Sequence, residues 1–263
     1  MSLSSLLCPS RLSRRRSAGS AVDDFHGVPV VTWADFLADF RWRQGEHVSL
    51  IGPTGAGKTT LALALLPMRD YVTVLGTKPK DSTLDKLVTR DHYDKLTAWP
   101  KRGPRTYGVR MSDGTERTRA SVVLWPPFRA AGDKQRQADV FDHALGEMFA
   151  AGSWCIFADE VFYLCKELGL EQHLTTIWTQ GRSLGLSLVA GTQRPAFVPL
   201  YLYDQATHLF LWNDNDETNL RRVGGLGGLS AAKVRAIVAA LPHHAVLYVN
   251  TRTRRLAVTR VAA

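Results

Sequence analysis

Gly52-Pro53-Thr54-Gly55-Ala56-Gly57-Lys58-Thr59 constrains this chain more than any other stretch, because it satisfies the phosphate-loop pattern G-x-x-x-x-G-K-[ST] in full. His47 to Ile51, just before it, is a short apolar run, and Lys58 to Leu66, just after it, is rich in helix formers. Strand, glycine loop and helix in that order form the context in which such a loop binds phosphate. Glycines let the backbone turn its N-H groups inward, and the helix start adds positive potential. Gly52 to Thr60 is therefore expected to grip a nucleoside triphosphate, ATP with magnesium, with Lys58 on the β- and γ-phosphates and the Thr59 hydroxyl on Mg2+.

A phosphate grip alone serves many chemistries, so the acids matter next. Trp154 to Ala158 is an apolar strand ending in Asp159-Glu160, and in open α/β sheets ligands sit at the carboxyl ends of strands. That places Asp159 on the magnesium and makes Glu160 the catalytic base for the attacking water. The stretch between Lys58 and Asp159 has room for further strands, which favours a sheet with one strand between the two motif strands. Gln193, in Gly191-Thr192-Gln193-Arg194-Pro195, ends the next strand and is placed to sense the γ-phosphate and the water. Arg182 is the first choice for an arginine finger and Arg194 the second, since a guanidinium neutralises developing phosphoryl charge and often comes from a neighbouring subunit.

Elsewhere, Val31 to Arg43 has helical spacing with Thr32 as its cap, and Tyr71 to Gly76 reads as a strand leading to a helix over Ser82 to Val88, capped by Asp81. Asp113-Gly114 predicts a tight turn inside a β-hairpin insertion between Thr106 and Trp125. Helices are expected over Lys134 to Ala150, Val161 to Leu168, Gln172 to Ser183 and Ala231 to Ala240. Strands are expected over Leu186 to Gly191, Leu209 to Trp212 and Ala245 to Asn250. This alternation implies an α/β fold with a mostly parallel sheet covered on both faces.

With 263 residues, 45% apolar and 22% charged, the chain has ample material for one principal domain, set at residues 26–263. Residues 1–25 read as a basic, disordered arm carrying Arg11, Arg14, Arg15 and Arg16, either a nucleic-acid contact or a solvated tail. The net charge of +9 suggests an anionic partner. No run approaches the roughly 20 apolar residues of a membrane span. Three cysteines, Cys8, Cys155 and Cys165, lack metal spacing and fit a reducing cytoplasm.

On these residues the chain resembles the FtsK and HerA superfamily of DNA-translocating ATPases, in its small phage and mobile-element members. Beyond the phosphate loop, the resemblance rests on the run from Gly181-Arg182-Ser183 through the apolar strand to Thr192-Gln193-Arg194-Pro195. Thr77-Lys78-Pro79-Lys80-Asp81 departs from the family's Asp-Pro-Lys-Gly pattern, leaving Lys78 and Lys80 to face DNA, nucleotide or solvent. The resemblance implies a RecA-like motor, working as a homo-oligomeric ring in a bacterial or phage-infected cytoplasm. It would pull or package double-stranded DNA, with phosphate contacts from the arm, Arg221, Arg222, Arg252, Arg254 and Arg255. The rival readings are an assembly or secretion ATPase of the zonula-occludens-toxin type and a non-motor ATP-dependent switch. Gly224-Gly225-Leu226-Gly227-Gly228 lacks a lysine and reads as a flexible turn.

Overall fold

The computed structural model describes residues 24–214, 216–223 and 230–261. The basic arm and the run Gly224 to Gly228 thus lie outside the described residues, as does Cys8, except that Asp24 and Phe25, expected in the arm, form a strand. In chain order the strands are β1 (Asp24–Phe25), β2 (Val28–Pro29), β3 (Val48–Ile51), β4 (Tyr71–Leu75), β5 (Asp94–Leu96) and β6 (Tyr107–Arg110). They continue as β7 (Glu116–Leu124), β8 (Cys155–Ala158), β9 (Ser187–Thr192), β10 (His208–Trp212), β11 (Ala245–Asn250) and β12 (Leu256–Arg260). The helices are α1 (Trp33–Asp39), α2 (Lys58–Leu65), α3 (Ser82–Thr89), α4 (Lys134–Ala151), α5 (Glu171–Gln180), α6 (Tyr201–Asp204), α7 (Glu217–Val223) and α8 (Ala231–Ala240).

Among the described residues, β3 to β12 form one sheet in the order β12-β11-β10-β3-β9-β8-β4-β7-β5, with β6 added to β7. Pairing is parallel from β10 through β3, β9, β8, β4 and β7 to β5, and antiparallel at the β10-β11-β12 end. One strand, β9, separates the strand feeding the phosphate loop from the strand ending in Asp159, as expected. The wholly buried pattern of β3, β8, β9 and β10 follows from helices covering both faces.

Alternation along each strand sorts side chains into two cores. Ile156 and Ala158 of β8, with Leu188 and Ala190 of β9, join α4, α5 and α8 on one face. Cys155, Phe157 and Val189 point the other way, toward α1, α2 and α3. Phe141 and Phe157, both fully buried, each contribute about 1.5–3 kcal/mol relative to exposure. Caps expected from sequence are made: Thr32 accepts from the Asp35 N-H, and Asp81 accepts from the Thr83 and Leu84 N-H groups, each cap worth about 1 kcal/mol.

Several features add to or differ from expectation, among them the short elements β1, β2, α6 and α7. The hairpin forms between β6 and β7 as expected, and its return strand β7 runs on into the sheet, where residues Ala120 to Leu124 pair with β4. β5 and β12 form where no strand was expected, both at sheet edges. The helix after Asp159-Glu160 winds as a π-helix over Tyr163–Glu167, a widened turn often found at functional sites. Among the described residues, no helix is long and apolar enough to cross a membrane.

Candidate functional site

β3 delivers the loop at the carboxyl edge of the sheet, and Gly52 is required there by close approach. A Cβ on Gly52 would lie 2.6 Å from Cβ of Trp212, at the end of neighbouring β10. Gly55 (φ 76°) and Gly57 (φ 107°) adopt left-handed backbone that favours glycine. Gly57 caps α2 with no side chain over the helix start, leaving the first N-H groups of α2 without intrahelical acceptors. Lys58 is only 6% exposed, and its ammonium donates to the Gly52 and Pro53 carbonyls at 2.7 and 2.8 Å. Burial lowers its pKa, and the nearby Asp159 and Glu160 carboxylates oppose that shift.

The acids expected beside the loop are there. The Thr59 hydroxyl donates to Asp159 Oδ1 at 2.9 Å, joining the start of α2 to the end of β8. These are hard oxygen donors of the kind magnesium takes, so the donor set fits that ion. Glu160 Oε1 is buried without a hydrogen-bond partner. Its burial raises its pKa, against the opposing effects of the Phe162 N-H, Lys58 and Arg194. A carboxylate held this way has its proton affinity raised toward that of a general base.

Gln193 closes the third side. Its Oε1 accepts a 2.6 Å hydrogen bond from the Thr54 hydroxyl, linking the end of β9 to the phosphate loop. Gly191, two residues earlier, has no space for a side chain, since a Cβ there would strike the Asp159 carbonyl oxygen.

The two candidate arginines lie at opposite ends of the sheet. Arg194 follows β9 at the carboxyl edge, with its guanidinium 5.5 Å from the Phe162 ring centre and close enough to influence Glu160. Arg182 is exposed and precedes β9, beside Gly45 at the amino edge, where a Cβ on Gly45 would meet the Arg182 carbonyl at 2.8 Å. The six residues of β9 separate Arg182 from its own phosphate loop by roughly 20 Å.

Sequence reasoning missed several neighbours of the loop. A cavity of about 250 Å³ beside it is lined by Pro53, Thr54, Ala56, Trp212, Pro242 and His244. A tryptophan at a strand end and the His243-His244 pair before β11 were its only sequence signals. Lys78, left open between DNA, nucleotide and solvent, lies 3.8 Å from Asp159 Oδ2. Other basic groups expected to be available for DNA are engaged within the chain: Arg252 with Glu46 at 3.0 Å, Arg255 with Asp39 at 2.8 Å and Arg221 with Glu217 at 3.3 Å.

No family model matches the chain, and no curated protein does. Solved structures do. The genome packaging NTPase B204 from Sulfolobus turreted icosahedral virus 2, in complex with sulfate, superposes with a TM-score of 0.59 at 14% identity, covering 84% of this chain and 99% of that one. B204 has also been solved with ATP-gammaS, and that structure matches with a TM-score of 0.54. VirB4 of Thermoanaerobacter pseudethanolicus gives 0.58 at 12% identity, covering 82% and 89% of the two chains. The plasmid coupling protein TrwB, bound to a non-hydrolysable ATP analogue, gives 0.54 at 13% identity, covering 88% and 92%. The chain shares its fold with these solved structures, and at these identities the likeness is one of fold alone.

Proposed function

We infer that this chain is an ATP-hydrolysing motor of the FtsK/HerA type, coupling Mg-ATP hydrolysis to translocation or packaging of double-stranded DNA in the cytoplasm of a bacterial or phage-infected cell. The observation that carries the reading is the seat of Gln193. It ends the strand between the phosphate-loop strand and the Asp159-Glu160 strand, and it is bonded to the loop itself. A polar side chain there can report γ-phosphate occupancy to the segment after β9. The fold likeness to a genome packaging NTPase supports the choice of cargo.

In this reading the backbone N-H groups from Gly55 to Thr60 receive the phosphates, and Lys58 exchanges its two loop carbonyls for β- and γ-phosphate oxygens. Thr59 and Asp159 would hold Mg2+, which would neutralise phosphate charge. Glu160 accepts the proton of the attacking water, whose position Gln193 fixes. Arg182 cannot reach its own loop, so it serves the site of a neighbouring copy, and a ring of identical subunits would supply that neighbour at every site. Arg194 acts within its own site, beside Glu160. The ATPase unit runs from residue 26 to 263, preceded by the basic arm.

The test is ATPase rate with and without double-stranded DNA across a salt series. The expected outcome is stimulation of several-fold that falls steeply as salt rises. ATP hydrolysis indifferent to DNA would overturn the motor reading while leaving an ATP-dependent switch or secretion ATPase standing.

A further inference from the structure

The turn after β4 carries a lysine that the reading above does not use. Lys78 Nζ lies 3.8 Å from Asp159 Oδ2 and 3.5 Å from Asp81 Oδ2, so one ammonium stands between two carboxylates. The other oxygen of each acid is already committed. Asp159 Oδ1 accepts from the Thr59 hydroxyl, and Asp81 Oδ1 caps α3 through the Thr83 and Leu84 N-H groups.

The backbone that presents Lys78 is held firmly. The Trp125 indole N-H donates to the Lys78 carbonyl at 2.7 Å, and the side-chain amide of buried Gln137 donates to the Thr77 carbonyl at 3.2 Å. Gln137 in turn accepts from the Tyr163 hydroxyl at 2.8 Å, tying the turn to the π-helix that follows Asp159-Glu160. Gly76 lets Trp125 lie against the turn, since a Cβ there would come within 2.8 Å of the indole. The side chain itself is 58% exposed, and its ammonium already lies within 4 Å of both acids.

We propose that Lys78 is a placeholder cation: it neutralises Asp159 while the metal side of the site is empty and moves onto Asp81 when Mg2+ enters with the nucleotide. Two cations cannot share one carboxylate oxygen at close range without repulsion, and Asp81 offers the displaced ammonium a partner within the same turn. Lys78 therefore competes with the metal and sets the Mg2+ concentration at which nucleotide is held. It is a positioning residue, acting through Asp159.

The inference rests on the reading of Thr59 and Asp159 as the metal side, and equilibrium binding tests both without turnover. Fluorescent ADP is titrated against the full chain over a Mg2+ series. Wild-type binding that shows no Mg2+ dependence overturns the site reading and the proposal together. Where wild type is Mg2+-dependent, Lys78→Met is expected to lower the half-saturating Mg2+ concentration by about threefold to fivefold, the size of an exposed ion pair. Asp81→Asn, which keeps a good helix cap, is expected to raise it, because Lys78 is then left with Asp159 alone. That rise is expected to vanish in the Lys78→Met/Asp81→Asn double variant. A rise of equal size in both backgrounds, or a Lys78→Met protein whose Mg2+ midpoint is unchanged or higher, overturns the placeholder role alone.

Discussion

The Thr54 hydroxyl donates a 2.6 Å hydrogen bond to Gln193 Oε1, so the phosphate loop and the end of β9 are joined directly. In the proposed function a γ-phosphate entering the loop would compete for these polar groups, and the contact would become a lever on the segment after β9. Gln193→Ala is expected to lower kcat for ATP hydrolysis by about tenfold, equivalent to about 1.4 kcal/mol of transition-state stabilisation. Nucleotide affinity should stay within about threefold, since Lys58 and the loop backbone remain. Steady-state kinetics paired with equilibrium binding separates the two effects.

Glu160 is half-buried and its Oε1 is shielded from solvent without a hydrogen-bond partner, so function and stability should part company there. Glu160→Gln is expected to lose hydrolysis by about 10²–10⁴-fold while still binding ATP.

The same substitution should raise stability in a pH-dependent way. Burial raises the folded-state pKa of Glu160 above its ordinary 4.5. The stability it contributes is complete below that ordinary value and is lost as pH rises through the raised one. The amide loses nothing over that window. Melting of the two proteins should therefore nearly coincide near about pH 4 and diverge toward about pH 7. There Glu160→Gln should be more stable by about 1 kcal/mol, or about 2–4 °C in Tm.

How much of this was legible in the sequence depends on how local each feature is. The phosphate loop and the Asp159-Glu160 strand end are fixed by consecutive residues whose chemistry leaves few alternatives. β5 and β12 are fixed by what they pair with: Asp94-Lys95-Leu96 has no alternation to read, and only the free edge of β7 makes it a strand. The π-helix over Tyr163–Glu167 carries the same apolar spacing as an α-helix, so composition could not distinguish them. The sequence leaves Lys78 open between DNA, nucleotide and solvent because its partner Asp159 belongs to a distant strand.

Gly191 was visible only as part of a strand ending, yet its bare Cα is what lets β9 run alongside the Asp159 turn. Gly191→Ala must push either β9 or the Asp159 carbonyl aside, a shift that costs about 1–3 kcal/mol in a packed core. Because Asp159 moves with it, Mg2+-dependent nucleotide binding should weaken more than binding measured in chelator. Thermal melting and the two binding measurements, made on the same preparation, check this. Equal losses in both would mean that the glycine matters for packing alone.

Arg182 and Arg194 make opposite predictions because the sheet lies between them. Arg194, beside Glu160, should act on its own site. Arg182, roughly 20 Å from its own loop along β9, would in the proposed ring act on the site of another copy. Either Arg→Ala variant alone is expected to lose most hydrolysis, by up to about 10³-fold for a group that neutralises the transition state. Mixing tells them apart. Arg182→Ala subunits keep an intact loop, and Lys58→Ala subunits keep an intact Arg182, so mixed assemblies should regain activity that neither parent has. Arg194→Ala mixed with Lys58→Ala should regain none, because each dead site then contains its own defect. Recovery in the second mixture, or its absence in the first, would reverse the assignment of the two arginines.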